Sequence, residues 1–277
     1  MDLVRPKIRD FAAEVLAQGG MTSPARRHLG RLVIVTFHRV LPPASLEPLV
    51  RWFWHPRWRL APGEASRQEI LPFPASNLVV SPDGVVLAGP TTRVAHRELS
   101  GSGWALGALL RPAGLASLST EPWRLRDREE PIHAPELAAR VSEALEDEGE
   151  EGRRQAIEVM ATWLTQRLAP PDAAGLAANE LEDLVARERT VVRVDQLAQL
   201  LGISVRSLQR LTRRHVGLTP LALVRRYRLQ EAAQRVRDGE VGLAEIAAEL
   251  GYVDQSHLTA DFREMLGLTP ASYRRSV

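Results

Sequence analysis

Leu197-Ala198-Gln199-Leu200-Leu201-Gly202 is the stretch that decides the reading, because it returns 49 positions later as Ile246-Ala247-Ala248-Glu249-Leu250-Gly251. Further along, Ser207-Leu208 parallels His257-Leu258, and Gly217-Leu218-Thr219-Pro220 recurs as Gly267-Leu268-Thr269-Pro270, both at a separation of 50. One residue has entered the turn of the second copy. Two such units are too few for a solenoid, which must stack more copies to bury a continuous core. They are a duplicated supersecondary motif.

Each copy has the grammar of a helix-turn-helix. A short helix places Leu197, Ala198 and Leu201, or Ile246, Ala247 and Leu250, on one side. A glycine then reverses the chain, since a residue without Cβ tolerates left-handed backbone. Ser204 or Asp254 follows, able to cap the free N–H groups of the next helix. That helix is expected to bury Leu208 and Leu211, or Leu258 and Phe262. Its outer face then presents Arg206, Gln209, Arg210 and Arg213 in the first copy, and Gln255, Ser256, His257 and Thr259 in the second. Arg pairs bidentately with guanine and Gln with adenine, so these side chains suit a nucleic-acid groove. The alternative is a solvated polar face on a helical bundle; two copies in one chain favour the groove. With Ser204, Ser207 and Arg263 they make up the candidate DNA-binding set.

Between the copies, Thr219-Pro220 and Asp238-Gly239 bound a helix over residues 220–238. Leu221, Val224, Leu229, Ala232, Ala233 and Val236 are expected on its buried face. A length of about 27 Å, plus the width of the flanking motifs, can set two reading helices about one duplex turn, about 34 Å, apart. The charge distribution agrees. Residues 187–277 hold 15 arginines against 10 acidic residues, whereas residues 1–186 hold 21 basic and 24 acidic ones. A polyanion would therefore meet the last third of the chain, and meet arginine only, because Lys7 is the single lysine.

Upstream, the fold class reads as α+β, a small antiparallel β-barrel or sandwich with helices, ahead of the all-α double helix-turn-helix. The segments Leu49–Trp54, Glu69–Leu71, Leu78–Val80, Val85–Leu87 and Ala105–Leu110 are β-like, and Asp83-Gly84 signals a hairpin with positive φ. β-type segments continue to about Leu118. Glu136–Asp147 and Arg153–Leu168 read as amphipathic helices, separated by an acidic run, 146–151, taken as a solvated turn. Pro170-Pro171 ends the second of them. The expected domains are an extension at 1–43 containing a short helix from Asp10 to Gln18, a β-rich sensor or dimerisation domain at 44–134, a helical connector at 135–178, and a DNA-binding domain at 179–277. Within the last, the motifs occupy 194–216 and 243–266.

Residues from about 180 to 277 resemble the DNA-binding domain of the AraC/XylS transcriptional regulators. The likeness runs through Val194–Ala198, Gly202, Ser204, Ser207–Leu211, Gly217–Pro220, Arg225–Leu229, Ile246-Ala247, Gly251-Tyr252, Asp254–Leu258, Phe262 and Gly267–Pro270. It implies that Arg206, Gln209 and Arg210 fall where the family's first reading helix meets DNA, and Gln255, Ser256 and His257 where the second does. Two departures stand out. Ala260 replaces a frequent arginine, which removes one contact. Thr212 replaces a large apolar residue, which is expected to loosen packing under the first reading helix. Residues 41–120 are similar to N-terminal regions of some members, through Trp52-Phe53-Trp54, Gln68–Pro72, Asn77–Val80 and Leu110–Gly114. In the family such a region is a β-barrel that holds a small effector or supports dimerisation. Trp52, Trp54 and Trp58 are candidates for a pocket lining or for core, with core the commoner use of such rings; His96 and Glu98 read as surface.

Several classes are set aside. A hydrophobic share of 44% with 25% charged residues is incompatible with disorder throughout. The absence of cysteine excludes a disulfide framework, a thiolate zinc site and a cysteine nucleophile. The stretch from Leu3 to Leu16 is broken by charges, so no signal peptide is expected, and the protein reads as cytoplasmic with no membrane partner. Val35–Val40 is faintly similar to the first strand of polysaccharide deacetylases. That chemistry needs clustered metal ligands, and no two of the seven histidines are closer than ten positions. No phosphate loop or nucleophile elbow is present. The expectation is a non-enzymatic, sequence-specific DNA-binding regulator without cofactor or metal. Its expected partners are double-stranded DNA, a small-molecule effector, a second copy of itself and RNA polymerase. Two other readings remain: an N-terminal region that only docks a protein, and a carbohydrate-modifying hydrolase fused to a helical domain.

Overall fold

The computed structural model describes residues 34–70, 74–92, 95–188, 191–239 and 241–276. The expected helix from Asp10 to Gln18, and most of the expected extension, lie outside these residues. In the N-terminal half the strands are β1 (Ile34–Val40), β2 (Val50–Arg59), β3 (Ala65–Ile70), β4 (Asn77–Ser81), β5 (Gly84–Ala88), β6 (Ala95–Ser100), β7 (Ser102–Trp104), β8 (Leu106–Leu110) and β9 (Glu129–Pro131). The main sheet has the order β1-β2-β8-β4-β5-β9, antiparallel at every pairing, with β7 added to β2. Strands β3 and β6 form a separate two-stranded sheet.

The fold class holds, an antiparallel β half with helices ahead of an all-α half, but the main sheet stays open instead of closing into a barrel. Its apolar face is buried by helices instead of by its own far edge. Strands β4 and β5 alternate buried and half-buried residues, as one-sided strands do, while the central β8 is buried along its whole length. Phe53, Leu78, Val80 and Leu106 meet Leu137 and Val141 of α2 (Pro135–Ala144), and Met160 and Leu164 of α3 (Glu150–Arg167), in one core. Two amphipathic helices thus supply the second layer that the sheet needs.

Two local expectations change. The β4–β5 hairpin is present, but its central pair is Pro82-Asp83, and Gly84 opens β5 with φ +125°. Proline's fixed φ suits the first central position of an ordinary turn, so Asp83 keeps negative φ. Residues after Leu110 leave the β pattern at once: α1 spans Pro112–Leu118, with proline in its first turn. A short 3-10 turn, Pro122–Leu125, follows. The acidic run is an exposed turn, as expected, and its last two residues, Glu150 and Glu151, open α3. Asp147 accepts from the backbone N–H groups of Gly149 and Gly152, and Glu148 pairs with Arg57 and Arg59 of β2 at 2.9 and 3.0 Å.

The C-terminal half is helical: α4 (Ala173–Arg187), α5 (Val194–Leu200), α6 (Val205–His215), α7 (Pro220–Asp238), α8 (Leu243–Glu249), α9 (Gln255–Leu266) and α10 (Pro270–Ser276). It holds two cores. Leu181, Val185, Leu197, Leu208, Val216 and Leu218 surround Leu223 and Val224 of α7. Ile246, Leu250, Leu258, Phe262 and Tyr273 surround Leu229, Ala232, Ala233 and Val236 of the same helix. Leu221, expected on the buried face, is 47% exposed, and Leu223 takes its place. The buried stripe swings round the helix as α7 passes from one core to the other. Thr212 is fully buried, and its hydroxyl donates to the Gln209 carbonyl at 3.2 Å, so the small side chain leaves no unsatisfied group.

Among the described residues, His38 and His55 are cross-strand partners in β1 and β2, a pairing that spacing along the chain does not reveal. His55 is buried, and neither ring nitrogen has a hydrogen-bond partner. Burial, reinforced by Arg57, His38 and Arg153, lowers its pKa to about 4. In the unfolded chain this ring takes a proton near pH 6.5, so between pH 6.5 and 4 the unfolded state binds more protons and stability falls with acid. The expected loss is about 2 kcal/mol on going from about pH 7 to about pH 5. Thermal unfolding at those two pH values reads it: His55→Gln should flatten the difference, and an unchanged acid slope in that variant contradicts the account.

Candidate nucleic-acid interface

Both helix-turn-helix units are built by the local devices that their sequences announce. Gly202 and Gly251 turn the chain at φ +64° and +69°. Ser204 Oγ accepts from Ser207 N–H at 3.1 Å to cap α6, and Asp254 Oδ1 accepts from His257 N–H at 2.8 Å to cap α9. Below them Leu208, Leu258 and Phe262 are fully buried, with Leu211 partly so. The reading helices are thereby fixed in rotation, with their polar faces outward.

On α6, Arg206, Gln209, Arg210 and Arg213 are exposed, spaced three, four and seven positions along one face. Ser207 is half-buried, its hydroxyl bonded to that of Ser204 at 3.0 Å, so these two serines are engaged in the cap. On α9, Gln255, Ser256, His257 and Arg263 are exposed. Thr259 is half-buried and donates back to the Gln255 carbonyl at 2.9 Å. His257 meets the edge of the Tyr252 ring at 5.3 Å, and its Nδ1 accepts from Val253 N–H, which leaves Nε2–H as its donor. Arg213 differs from its neighbours: its guanidinium lies 4.4 Å from the centre of the Trp123 ring in the 3-10 turn.

Two groups stand out among the arginines of this half, a contrast that sequence could not show. Arg206, Arg210 and Arg263 enter no ion pair among the described residues. Four on α7 are committed to the protein itself. Arg226 is buried and donates from Nε to the Thr91 carbonyl at 3.0 Å, Arg225 and Arg235 bind carboxylates, and Arg228 lies against the Tyr252 ring. An uncommitted, solvated guanidinium can exchange counterions for phosphate; a buried, paired one cannot do so without breaking its pair.

A polar joint ties this half to the sheet. Arg51 of β2 reaches Glu182 at 2.5 Å and Asp183 at 2.9 Å, and Arg111 reaches Asp183 at 2.5 Å. Tyr227 of α7 donates to the other Glu182 oxygen at 3.2 Å. Asn179 accepts from Ala113 N–H at the start of α1 and donates to the Pro48 carbonyl. Burial lowers the Arg51 pKa, but Glu182, Tyr227 and Asp183 outweigh it and hold the group charged. Burial, then Glu182, raises the Tyr227 phenol well above its ordinary value, which keeps it a donor. The sequence does not show this joint, because Arg51 lies 131 and 132 positions from Glu182 and Asp183.

In the N-terminal half Trp52 is buried beside Leu109 and Ala75, the core use of that ring. The Arg39 guanidinium lies 4.5 Å from the centre of its ring. Trp54 is half-buried, donates to Asn77 Oδ1 at 2.9 Å and stacks with Phe37. Trp58 is half-buried and Glu98 is exposed; the His96 side chain lies outside the described residues. Among the described residues there is no cluster of metal-ligating side chains, and no helix long and apolar enough to cross a membrane.

Residues 197–276 match a family described as a helix-turn-helix domain, and residues 38–129 match a domain of unknown function, DUF6597. A putative AraC-like transcription regulator of Streptomyces antibioticus is 28% identical over 173 residues, covering 59% of this chain and 54% of that protein. The HTH-type transcriptional activator RhaS of Escherichia coli is 33% identical over 95 residues, covering 34% and 33%. The chain spans about half or less of these curated relatives. Among solved structures, ToxT of Vibrio cholerae aligns at TM-score 0.45 and 11% identity, over 88% of this chain and 97% of that one.

Removing the carboxylate of Glu182 leaves the Arg51 charge and the Tyr227 phenol without their shared acceptor. Glu182→Ala should cost about 3 kcal/mol in urea unfolding; a loss below about 1 kcal/mol contradicts the role given to this joint.

Proposed function

Because the C-terminal helix-turn-helix region is of the AraC/XylS type, we propose that this chain is a transcriptional regulator that reads a specific DNA sequence with α6 and α9 in successive major grooves. The observation that carries the reading is the set of uncommitted arginines, Arg206, Arg210 and Arg263, on helices whose arginine-rich neighbour, α7, turns Arg225, Arg226 and Arg235 to partners within the protein. Arg210 pairs with guanine or phosphate and Gln255 with adenine. Arg206, Arg213 and Arg263 bind phosphate, and Gln209, Ser256, His257 and Thr259 contact bases or sugar. Ser204 and Ser207 hold the helix start against the backbone. Nineteen residues of α7, about 28 Å, carry the two motifs about one duplex turn, about 34 Å, apart.

The division adopted is a sensor or dimerisation unit at 44–134, a connector at 135–178 and a DNA-binding unit at 179–277, with α4 straddling the last boundary. The sheet half would hold a small effector or a second copy, and would pass its state to the DNA through Arg51, Glu182 and Tyr227. The chain works by binding, without catalysis, in the cytoplasm. Docking of RNA polymerase on the sheet half is the second reading. Light scattering of the full chain, and copurification with polymerase with and without residues 1–170, distinguish the two.

Mobility shifts on duplexes selected from a random pool test the main claim. Affinity should fall steeply and linearly with the logarithm of salt. Arg210→Ala and Gln255→Ala should each weaken binding by about 5- to 100-fold while the circular dichroism spectrum is unchanged. Unchanged affinity in both variants removes these assignments.

A further inference from the structure

Helix α7 holds the two motifs by different means. Against the first, the contact is apolar: Leu223 and Val224 share one core with Leu197, Leu208, Val216 and Leu218. The second motif is held by three arginines as well as by its core, each reaching a different part of it. Arg225 Nη2 donates to Asp261 Oδ1 at 2.6 Å and to Glu264 Oε2 at 2.8 Å, both on α9. The Arg228 guanidinium lies 4.1 Å from the centre of the Tyr252 ring, in the turn between the helices. Arg235 binds Glu249 of α8 and, at 2.8 Å, Glu231 of its own helix.

Of these, the Arg225 contact bears directly on the reading helix. Asp261 is 3% exposed and sits on the side of α9 turned away from Gln255, Ser256 and Thr259. The Arg225 guanidinium compensates this buried carboxylate through Oδ1. The shared core decides which face of α9 is buried, but apolar packing is non-directional and leaves small adjustments of roll and slide open. A charge-assisted bond from one guanidinium nitrogen to two carboxylates, one turn apart, restricts both motions. Arg225 lies between Val224 and Leu229, where the buried stripe of α7 passes from one core to the other.

We propose that Arg225, through Asp261 and Glu264, is a positioning residue that sets the roll of the second reading helix on α7, and so fixes the half-site spacing that the protein accepts. This rests on the DNA-binding reading above. A duplex selected by the full wild-type chain from a random pool is the probe, together with versions carrying one base pair inserted or deleted between the half-sites. Each change rotates one half-site by about 34° relative to the other. Wild type should lose at least about tenfold in affinity for either altered duplex.

Arg225→Ala should shrink that penalty to below about threefold, and so should the charge-neutral pair Asp261→Asn with Glu264→Gln, which leaves α7 untouched. Binding to the unaltered duplex is measured alongside, with thermal unfolding to establish that each variant is folded. Loss of stability alone lowers affinity for all duplexes equally and leaves the penalty in place. Retention of the full spacing penalty by the charge-neutral pair overturns the proposal. If wild type selects no duplex at all, the DNA-binding reading fails first, and this proposal falls with it.

Discussion

The C-terminal half depends on a single helix belonging to two hydrophobic cores at once. Helix α7 gives Leu223 and Val224 to the core of the first motif, and Leu229, Ala232, Ala233 and Val236 to that of the second. Each large apolar side chain so buried contributes about 2 kcal/mol. Neither motif can therefore turn about the helix without uncovering part of its own interior. The ends are equally defined: Thr219 Oγ1 accepts from Ala222 N–H at the start, and Gly239 closes the helix in left-handed backbone at φ +69°. A capped rod with a core at each end is a means of holding two reading helices in fixed relation.

Electrostatics then assigns the charges to two tasks. On α7, Arg226 is buried against the Thr91 carbonyl, and the half-buried Arg225 and Arg235 bind Asp261, Glu264 and Glu249. Arginines on α6 and α9 face solvent, and Arg206, Arg210 and Arg263 have no carboxylate among the described residues. The same residue type is structural on one helix and available to a polyanion on its neighbours. The sheet half joins this arrangement through buried acids on α4, where Glu182 takes Arg51 on one oxygen and Tyr227 on the other.

What the sequence made legible follows from the range of the interactions concerned. The glycine turns, the Ser204 and Asp254 caps and the buried Leu208, Leu258 and Phe262 depend on contacts within a few residues, and each is where the pattern puts it. Features that depend on distant partners were hidden. The sheet stays open because α2 and α3 cover it, which no strand-by-strand reading supplies. Leu221 and Leu223 lie about 200° apart round the helix, and periodicity with Ala232 and Val236 favours Leu221; only the change of core along α7 buries Leu223 instead. Likewise Arg225 and Arg210 look alike in the sequence; the first is distinguished by carboxylates 36 and 39 positions away.

The central claim, that two rigidly joined motifs grip one side of a duplex, is tested most directly by hydroxyl-radical footprinting of the full chain on a duplex it selects. The account predicts two protected stretches on the same face of the helix, centred about one turn, about 10 base pairs, apart. A single protected stretch, or two on opposite faces, would contradict it.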